Sequence, residues 1–485
     1  MRADVVIAGG GIAGLACAVA LSDAGLRATV CERANACGGR ARSWTDGATG
    51  DAVDIGPHVL FTEYRNMLRL LERLGTRERI VWQRDKLITL VAAPHVFALR
   101  KYRLPPPLHF APGVLRAPVY SARDAASNLR VTWYAMGLDE AEVQRLDALD
   151  ARGFLERQGV SARFIDVFWA SVAMWIMNVP LERCSAGALM RFYREILGHN
   201  DYQVGFPGVG LSELYVPQAR AAVAAAGGAV LTDAPVRAFI ERAGRAAGVA
   251  LADGRTIEAR WCVAALPPQD LAPLLPAAWR AREPALGRLD ELAPDPYISV
   301  YLWFDRRLTR ERYWARLWAP ENLGYDFYDL ANIRRGWEGR PSVIAANIMY
   351  SRRAAGLSDR EIVAATVREL AELAPEAPRA RLRHARVHRI PMAIVCPYPG
   401  TERKRPPART AVPGLWLAGD WTGTGLPASM ESAVRSGWLA AEEILARAGR
   451  PASLALALPE PEGLARLARW LRRHGTRGAT VRPEA

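Results

Sequence analysis

The sequence predicts an α/β fold: a parallel, helix-covered sheet assembled from pieces far apart in the chain, with an α+β domain interleaved between them. Three observations predict it. Residues 5–32, VVIAGGGIAGLACAVALSDAGLRATVCE, read as strand, tight turn, helix and strand. Residues 414–445 read as a short apolar strand, GLWLAGDW, running into a helix, TGTGLPASMESAVRSGWLAAEEIL. Between them, 229–266 reads as a series of short strands broken by Asp253-Gly254 and closed by Pro267-Pro268. With 485 residues the chain exceeds one ordinary core, and at 50% hydrophobic and 24% charged it is globular, which excludes a disordered chain.

The first unit carries the most specific chemistry. Gly9, Gly11 and Gly14 form Gly-x-Gly-x-x-Gly at the strand-to-helix turn. The first glycine permits the turn, the second lets a pyrophosphate approach the backbone, and the third lets helix meet sheet. A diphosphate there meets unpaired amide donors at the positive end of the helix dipole. Glu32 closes the second strand, 18 residues after Gly14, where a carboxylate accepts ribose hydroxyls and repels a 2′-phosphate. This is a Rossmann-like βαβ unit, and Arg33 beside Glu32 joins its candidate cofactor residues.

Gly38-Gly39-Arg40 follows directly, then Asp54-Ile55-Gly56-Pro57-His58. A Gly-Gly-Arg step after the acidic strand can bring Gly39 amide and Arg40 guanidinium onto the same diphosphate, which argues for FAD over NAD. Alone, the segment would read as a solvated arginine loop. At the far end Gly419-Asp420 terminates the strand: the Asp420 carboxylate can meet ribityl hydroxyls, and the helix N-terminus near Met430 can face the electron-rich end of a flavin.

GGGIAG, CERANACGGRAR, DIGPH, APVRAFI at 234–240 and LAGDWTGTGLPASMESAVRSG together resemble the FAD-dependent amine oxidase and phytoene desaturase superfamily. DIGPHVLFTEYRNMLRLLERLG and GDWTGTGLPASMESAVRSG are most similar to the squalene-associated branch, the hydroxysqualene dehydroxylases, and next to the carotenoid desaturases. The resemblance implies a glutathione-reductase-like FAD-binding domain at 1–75, 220–290 and 395–450, a substrate domain at 76–219 and 291–394, and a tail at 451–485. It also implies that Val236 meets the adenine through its backbone, that Gly39, Arg40 and Asp420 touch diphosphate and ribityl, and that Gly56, Pro57 and His58 belong to the cofactor site.

The middle matches loosely, so chemistry there is read from composition. Phe164 to Leu181 is the most apolar long stretch, but Asp166, Asn178 and Pro180 make it a buried helix ending at Asn178, not a membrane span. Trp169, Met174, Trp175, Met177, Phe192 and Tyr193, with Trp303 and Phe327, are candidates either to line an apolar tunnel or to pack the core. Residues 94–118 are proline-stiffened, basic and apolar, preceding a helical stretch from Ala122 to Met136. In the tail Leu464, Leu467, Trp470 and Leu471 share a helical face beside Arg466, Arg469, Arg472 and Arg473. With a net charge of +14, both segments suit an anionic membrane surface, or else the first is an ordinary surface loop and the second an amphipathic helix docked on the protein; no nucleic-acid motif accompanies the charge.

The expected substrate is therefore an apolar isoprenoid: first hydroxysqualene, reductively dehydroxylated to squalene, or else a phytoene- or ζ-carotene-type carotenoid undergoing desaturation. A flavin amine oxidase, or a non-catalytic isoprenoid-binding flavoprotein, would carry the same cofactor motifs. No catalytic side chain is assigned. The six cysteines, Cys17, Cys31, Cys37, Cys184, Cys262 and Cys396, show no metal-ligand spacing and read as reduced thiols. The chain runs from Met1 straight into its first strand, which suggests a cytoplasmic protein, peripheral on a membrane at most.

Overall fold

A computed structural model describes residues 2–475; the end of the expected tail, 476–485, lies outside the described residues. One seven-stranded sheet is laid out in the order Ala229–Leu231, Ala28–Cys31, Arg2–Ala8, Thr256–Ala264, Arg245–Leu251 and Val236–Arg242, with Leu415–Leu417 also pairing with Thr256–Ala264. Within the expected series of short strands, Thr256–Ala264 is one continuous strand, because Glu258 and Ala259 pair with Arg2 and Ala3, and Trp261 through Ala264 with Val5 through Ala8. Its parallel strands end level: Leu231 is opposite Cys31, Cys31 opposite Ala8, Ala8 opposite Ala264, and Ala264 opposite Leu417. The residues that follow, Glu32, Gly9, Ala265 and Ala418, emerge as one row above the sheet, where ligands of open α/β sheets bind.

The helix Ile12–Asp23 is buried from Ile12 to Ser22, since it lies beneath that row with Met430–Arg447 and Val216–Ala225 packed on it. A stripe is not enough for such a helix, and the sequence is accordingly apolar on every side.

The second sheet has the order Leu382–Val395, Pro294–Phe304, Val343–Ile348, Asp326–Asp329, Tyr313–Arg316, Ile88–Ala92 and His95–Leu99. All its pairings are antiparallel except that of Tyr313–Arg316 with Ile88–Ala92. Period-two alternation divides it cleanly. Ile298, Val300, Leu302, Phe304, Ile344, Ala346 and Phe327 bury one face under the helix Asp359–Leu370, which starts at a Ser358/Glu361 capping box. The other face carries Tyr297, Ser299, Tyr301, Asn347, Asp326 and Tyr328. A helical layer from Ala122 to Gly198 closes the third side.

Phe164 to Met177 is a buried helix that ends at Asn178, as expected, but two of its segments, Ile165–Trp169 and Ala173–Met177, are π-helical. Asn178 stops it in a left-handed conformation, φ 62°, with its side-chain Nδ2 donating to the Ile176 carbonyl. The tail helix Gly463–Gly475 docks through its small residues: Ala465 and Ala468 are buried, and the Ala465 amide donates to the Pro106 carbonyl. Arg469 pairs with Glu460 and Arg472 with Glu142 while lying over the Tyr134 ring, so these two arginines face the body and do not flank an outward stripe. The Arg473 side chain lies outside the described residues. Leu464, Leu467, Trp470 and Leu471 are left exposed. No helix among the described residues is long and apolar enough to cross a membrane.

Candidate functional site

The dominant feature is a cavity of about 1180 Å³ running from the glycine turn to the face of the second sheet. Single-ligand pockets typically span roughly 300–1000 Å³, so this one has room for a dinucleotide and a second, apolar molecule end to end.

Its first end is built by the row above the parallel strands. Gly9, Gly11, Glu32, Arg33, Gly39 and Arg40 line it together with Val236, Gly419 and Asp420. Gly11 and Gly14 show the division of labour expected of the motif. A Cβ on Gly14 would stand 2.0 Å from the Gly9 carbonyl oxygen, so this glycine lets the helix start against the strand and lies behind the wall of the cavity. A Cβ on Gly11 would meet nothing within 4 Å; it would project into the space where a diphosphate has to reach the backbone. That open approach, above the amino end of a buried helix, fits the diphosphate of FAD.

Glu32 is 9% exposed and already fixed: its Oε2 accepts from the Gly10 amide at 2.8 Å and its Oε1 from the Ala34 amide at 2.9 Å. Its carboxylate thus holds the glycine turn as well as facing the cavity, a second role the sequence did not disclose. Arg33 is more exposed and pairs with Asp270 at 3.2 Å. Val236 opens its strand at the cavity edge, reached through Ala234, whose amide donates to the Glu32 carbonyl.

Arg40 and Asp420, expected on diphosphate and ribityl separately, also touch each other: guanidinium and carboxylate are 2.5 Å apart. A carboxylate only 10% exposed needs a charge partner, and Arg40 retains further donors for an anion. Met430 begins the helix Met430–Arg447, capped by Ser429 Oγ, and lies at the same wall. Gly56, Pro57 and His58 line the midpoint. His58 Nδ1 is 2.8 Å from the Gly56 carbonyl, and burial lowers the imidazole pKa, favouring the neutral ring.

Beyond that midpoint the wall turns apolar. Phe168, Val172, Trp175 and Ile176 supply it from one face of the helix ending at Asn178, and Phe192 and Tyr193 from the next helix. Trp169, Met174 and Met177 point away from it into the core, as do Trp303 and Phe327. Trp169 explains why: its indole donates to Asn128 Oδ1 at 2.9 Å, a partner on the helical layer. Leu99, Phe110 and Val114, from the proline-rich segment, close the apolar end.

Sequence reading missed a set of polar groups on the second sheet, Tyr297, Ser299, Asp326, Tyr328 and Asn347, which also line the cavity. The signal available was polar residues at every second position of strands otherwise apolar. Glu63 was missed too; burial and the adjacent Asp201 raise its pKa, and Asp201 is lowered in return by the hydrogen bond it receives. The six cysteines are free and buried.

Comparison with known proteins adds three findings. The family described as flavin containing amine oxidoreductase matches residues 12–445. A 15-cis-phytoene desaturase of Synechococcus elongatus is 31% identical, over 91% of this chain and 96% of its own, and a carotenoid phi-ring synthase of Streptomyces griseus is 30% identical over 92% and 88%. In a solved structure, a double mutant of putrescine oxidase superposes with a TM-score of 0.67 at 19% identity, covering 92% of this chain and all of that one, a likeness of fold. These relatives support the desaturase expectation over hydroxysqualene dehydroxylation.

Proposed function

We propose that this chain, which belongs to the flavin-containing amine oxidoreductase family and is an FAD-dependent oxidoreductase, desaturates a long apolar isoprenoid of the phytoene type. The observation that carries this reading is the single cavity whose polar end fits FAD and whose apolar arm is walled by Phe168, Trp175, Phe192 and Tyr193. Likeness over nearly the whole chain to a protein named for phytoene desaturation supports the same substrate class.

In this reading the Gly9–Gly11 backbone, Gly39 and Arg40 hold the diphosphate, Glu32 the adenosine ribose, Val236 the adenine, and Asp420 the ribityl chain. The amino end of the helix at Met430 stabilises negative charge on the flavin. FAD, when bound, takes up the hydride that desaturation releases. The chain's aromatic side chains position a hydrocarbon without polar handles and keep water away from electron-poor carbon.

The same reading extends to how a hydrocarbon arrives. Leu104, Leu108 and Leu115 are exposed on the segment that also closes the apolar end of the cavity, and Leu464, Leu467, Trp470 and Leu471 are exposed on the helix docked beside it. Leu129 and Trp133, on the helix Leu129–Met136 beneath the tail helix, continue the patch. An apolar patch of this kind next to a cavity suits a protein resting on lipid.

With phytoene dissolved in anionic liposomes and an artificial electron acceptor, the expected product is lighter by two hydrogens. The protein is also expected to co-sediment with those liposomes at low salt. Recovery of phytoene unchanged contradicts the substrate, and protein remaining in the supernatant contradicts the lipid surface.

A further inference from the structure

A row of polar side chains crosses the cavity face of the second sheet. Strand register places Ser299 opposite Asn347 and Asn347 opposite Asp326. The row is anchored to the cofactor half of the molecule. Ser299 Oγ donates to Asn347 Oδ1 at 3.0 Å, and Asn347 Nδ2 donates to the Pro57 carbonyl at 3.4 Å. A Cβ on Gly56 would lie 2.5 Å from Ser299 Oγ, so the backbone of 56–57 rests directly on this row. Asp326 therefore stands one strand away from the segment where the polar end of the cavity meets its apolar arm.

Asp326 is 2% exposed. Its Oδ2 accepts from the Tyr328 hydroxyl at 2.7 Å, while its Oδ1 is buried with no hydrogen-bond partner. A buried carboxylate oxygen left without a donor is unfavourable unless something else uses it. Among the other acids lining the cavity, Glu63 also has a buried oxygen without a partner, but burial and the adjacent Asp201 raise its pKa to about 9, so it stays protonated where a base must be ionised.

We propose that Asp326 is the base of the desaturation, its free Oδ1 taking the proton lost from the substrate carbon next to the one that loses hydride. This rests on the desaturase reading. The bonds balance: one C–H bond breaks with its electron pair leaving as hydride to the oxidised flavin. The neighbouring C–H bond breaks toward Asp326, its proton forming an O–H bond and its electron pair the new C=C bond. The Tyr328 hydroxyl keeps the carboxyl aimed by holding the other oxygen.

Burial pushes the Asp326 carboxyl up to about 7, against the lowering effect of the Tyr328 hydroxyl and of the nearby Asn347 amide. The titratable groups around it are tyrosines: Tyr328 and, stacked on it, Tyr313, with Tyr325 and Tyr297. All are themselves raised, so they stay neutral while Asp326 titrates. A base with a pKa near the working pH is the efficient kind.

The test compares FAD-loaded wild type with Asp326→Asn, whose amide oxygen can still accept from Tyr328. Anaerobic flavin reduction by phytoene is expected to slow about 100-fold in the variant, with half-saturation unchanged. The wild-type rate is expected to rise with pH through about 7, since only the carboxylate accepts a proton, and the variant to lose that limb. An equal rate, or the same pH limb in both, overturns the proposal.

A second readout needs no turnover. Calorimetric binding of N,N-dimethyldodecylammonium, a cation with an apolar chain, is expected to tighten about tenfold from pH 6 to pH 8 in wild type, following the ionised fraction of the carboxyl. In Asp326→Asn the affinity at pH 8 is expected to fall by about as much and to lose its pH dependence. If phytoene leaves wild-type flavin oxidised, the desaturase reading fails, and the ammonium titration still decides Asp326: identical binding by both proteins shows that it is not an ionisable base facing the cavity.

Discussion

Gly11→Val is expected to give a folded protein that does not hold FAD, and Gly14→Ala, the smaller change, a protein that does not fold. Gly11 has φ −77°, extended backbone that valine adopts readily, and no atom stands within 4 Å of the new Cβ. The isopropyl group instead occupies the approach to the amides of the glycine turn. Hydrogen bonds to charged groups contribute roughly 1.5–3 kcal/mol each, so losing two of them weakens FAD by roughly 100-fold or more. At Gly14 a single methyl meets the Gly9 carbonyl oxygen at 2.0 Å, a contact with backbone at the centre of the most buried layer, and neither strand nor helix can yield. Circular dichroism together with flavin absorbance after reconstitution separates the two outcomes. Full FAD occupancy in Gly11→Val would remove the diphosphate from this turn.

The second large effect is on stability. Arg334 and Asp54 form an ion pair in which each side chain is 3% exposed. Asp54 Oδ1 also accepts from the Leu211 amide at 2.9 Å, and Arg334 donates to the Pro207 carbonyl at 3.4 Å. Three stretches remote in sequence, 52–54, 204–211 and 330–334, thus meet at one pair of charges. Arg334→Met strands the carboxylate in a low dielectric and is expected to destabilise by about 3–5 kcal/mol, a large part of the roughly 5–15 kcal/mol that holds a typical native state. Adding Asp54→Asn removes the stranded charge while its amide oxygen still accepts from Leu211. The double replacement is expected to recover at least half of the loss in chemical denaturation. No recovery would mean that the arginine acts through packing and not through charge.

The two ends of the site were legible because each is written locally. Gly9, Gly11, Gly14 and Glu32 lie on one βαβ unit whose spacing is set by strand and helix length, and Gly419-Asp420 ends a strand in the same way. All of these except Gly14 line one cavity, and Gly14 does its work behind it. The aromatic faces were not legible. Phe168 and Trp175 reach the cavity while Trp169 and Met177 enter the core, yet all four sit on one apolar helix, and only the sheet and helices around it decide which side is which.

Asp326 was invisible for a different reason. Its neighbours Asn347 and Ser299 come from strands whose register is set by long-range pairing, so the polar row exists only after folding. The tail was half legible: Leu464, Leu467, Trp470 and Leu471 do share an exposed face, but the docking through Ala465, Ala468 and Arg472 depends on Pro106, Tyr134 and Glu142 elsewhere in the chain. The order of the two isoprenoid chemistries was drawn from the flavin-binding motifs, which the two chemistries share.

The most direct test mixes the FAD-loaded protein anaerobically with phytoene in detergent and follows flavin absorbance, identifying the product by mass. Bleaching of the oxidised flavin with a product two hydrogens lighter is the predicted result. Flavin that stays oxidised with phytoene, while the reduced protein is reoxidised by hydroxysqualene with squalene formed, would contradict it and assign the cavity to dehydroxylation.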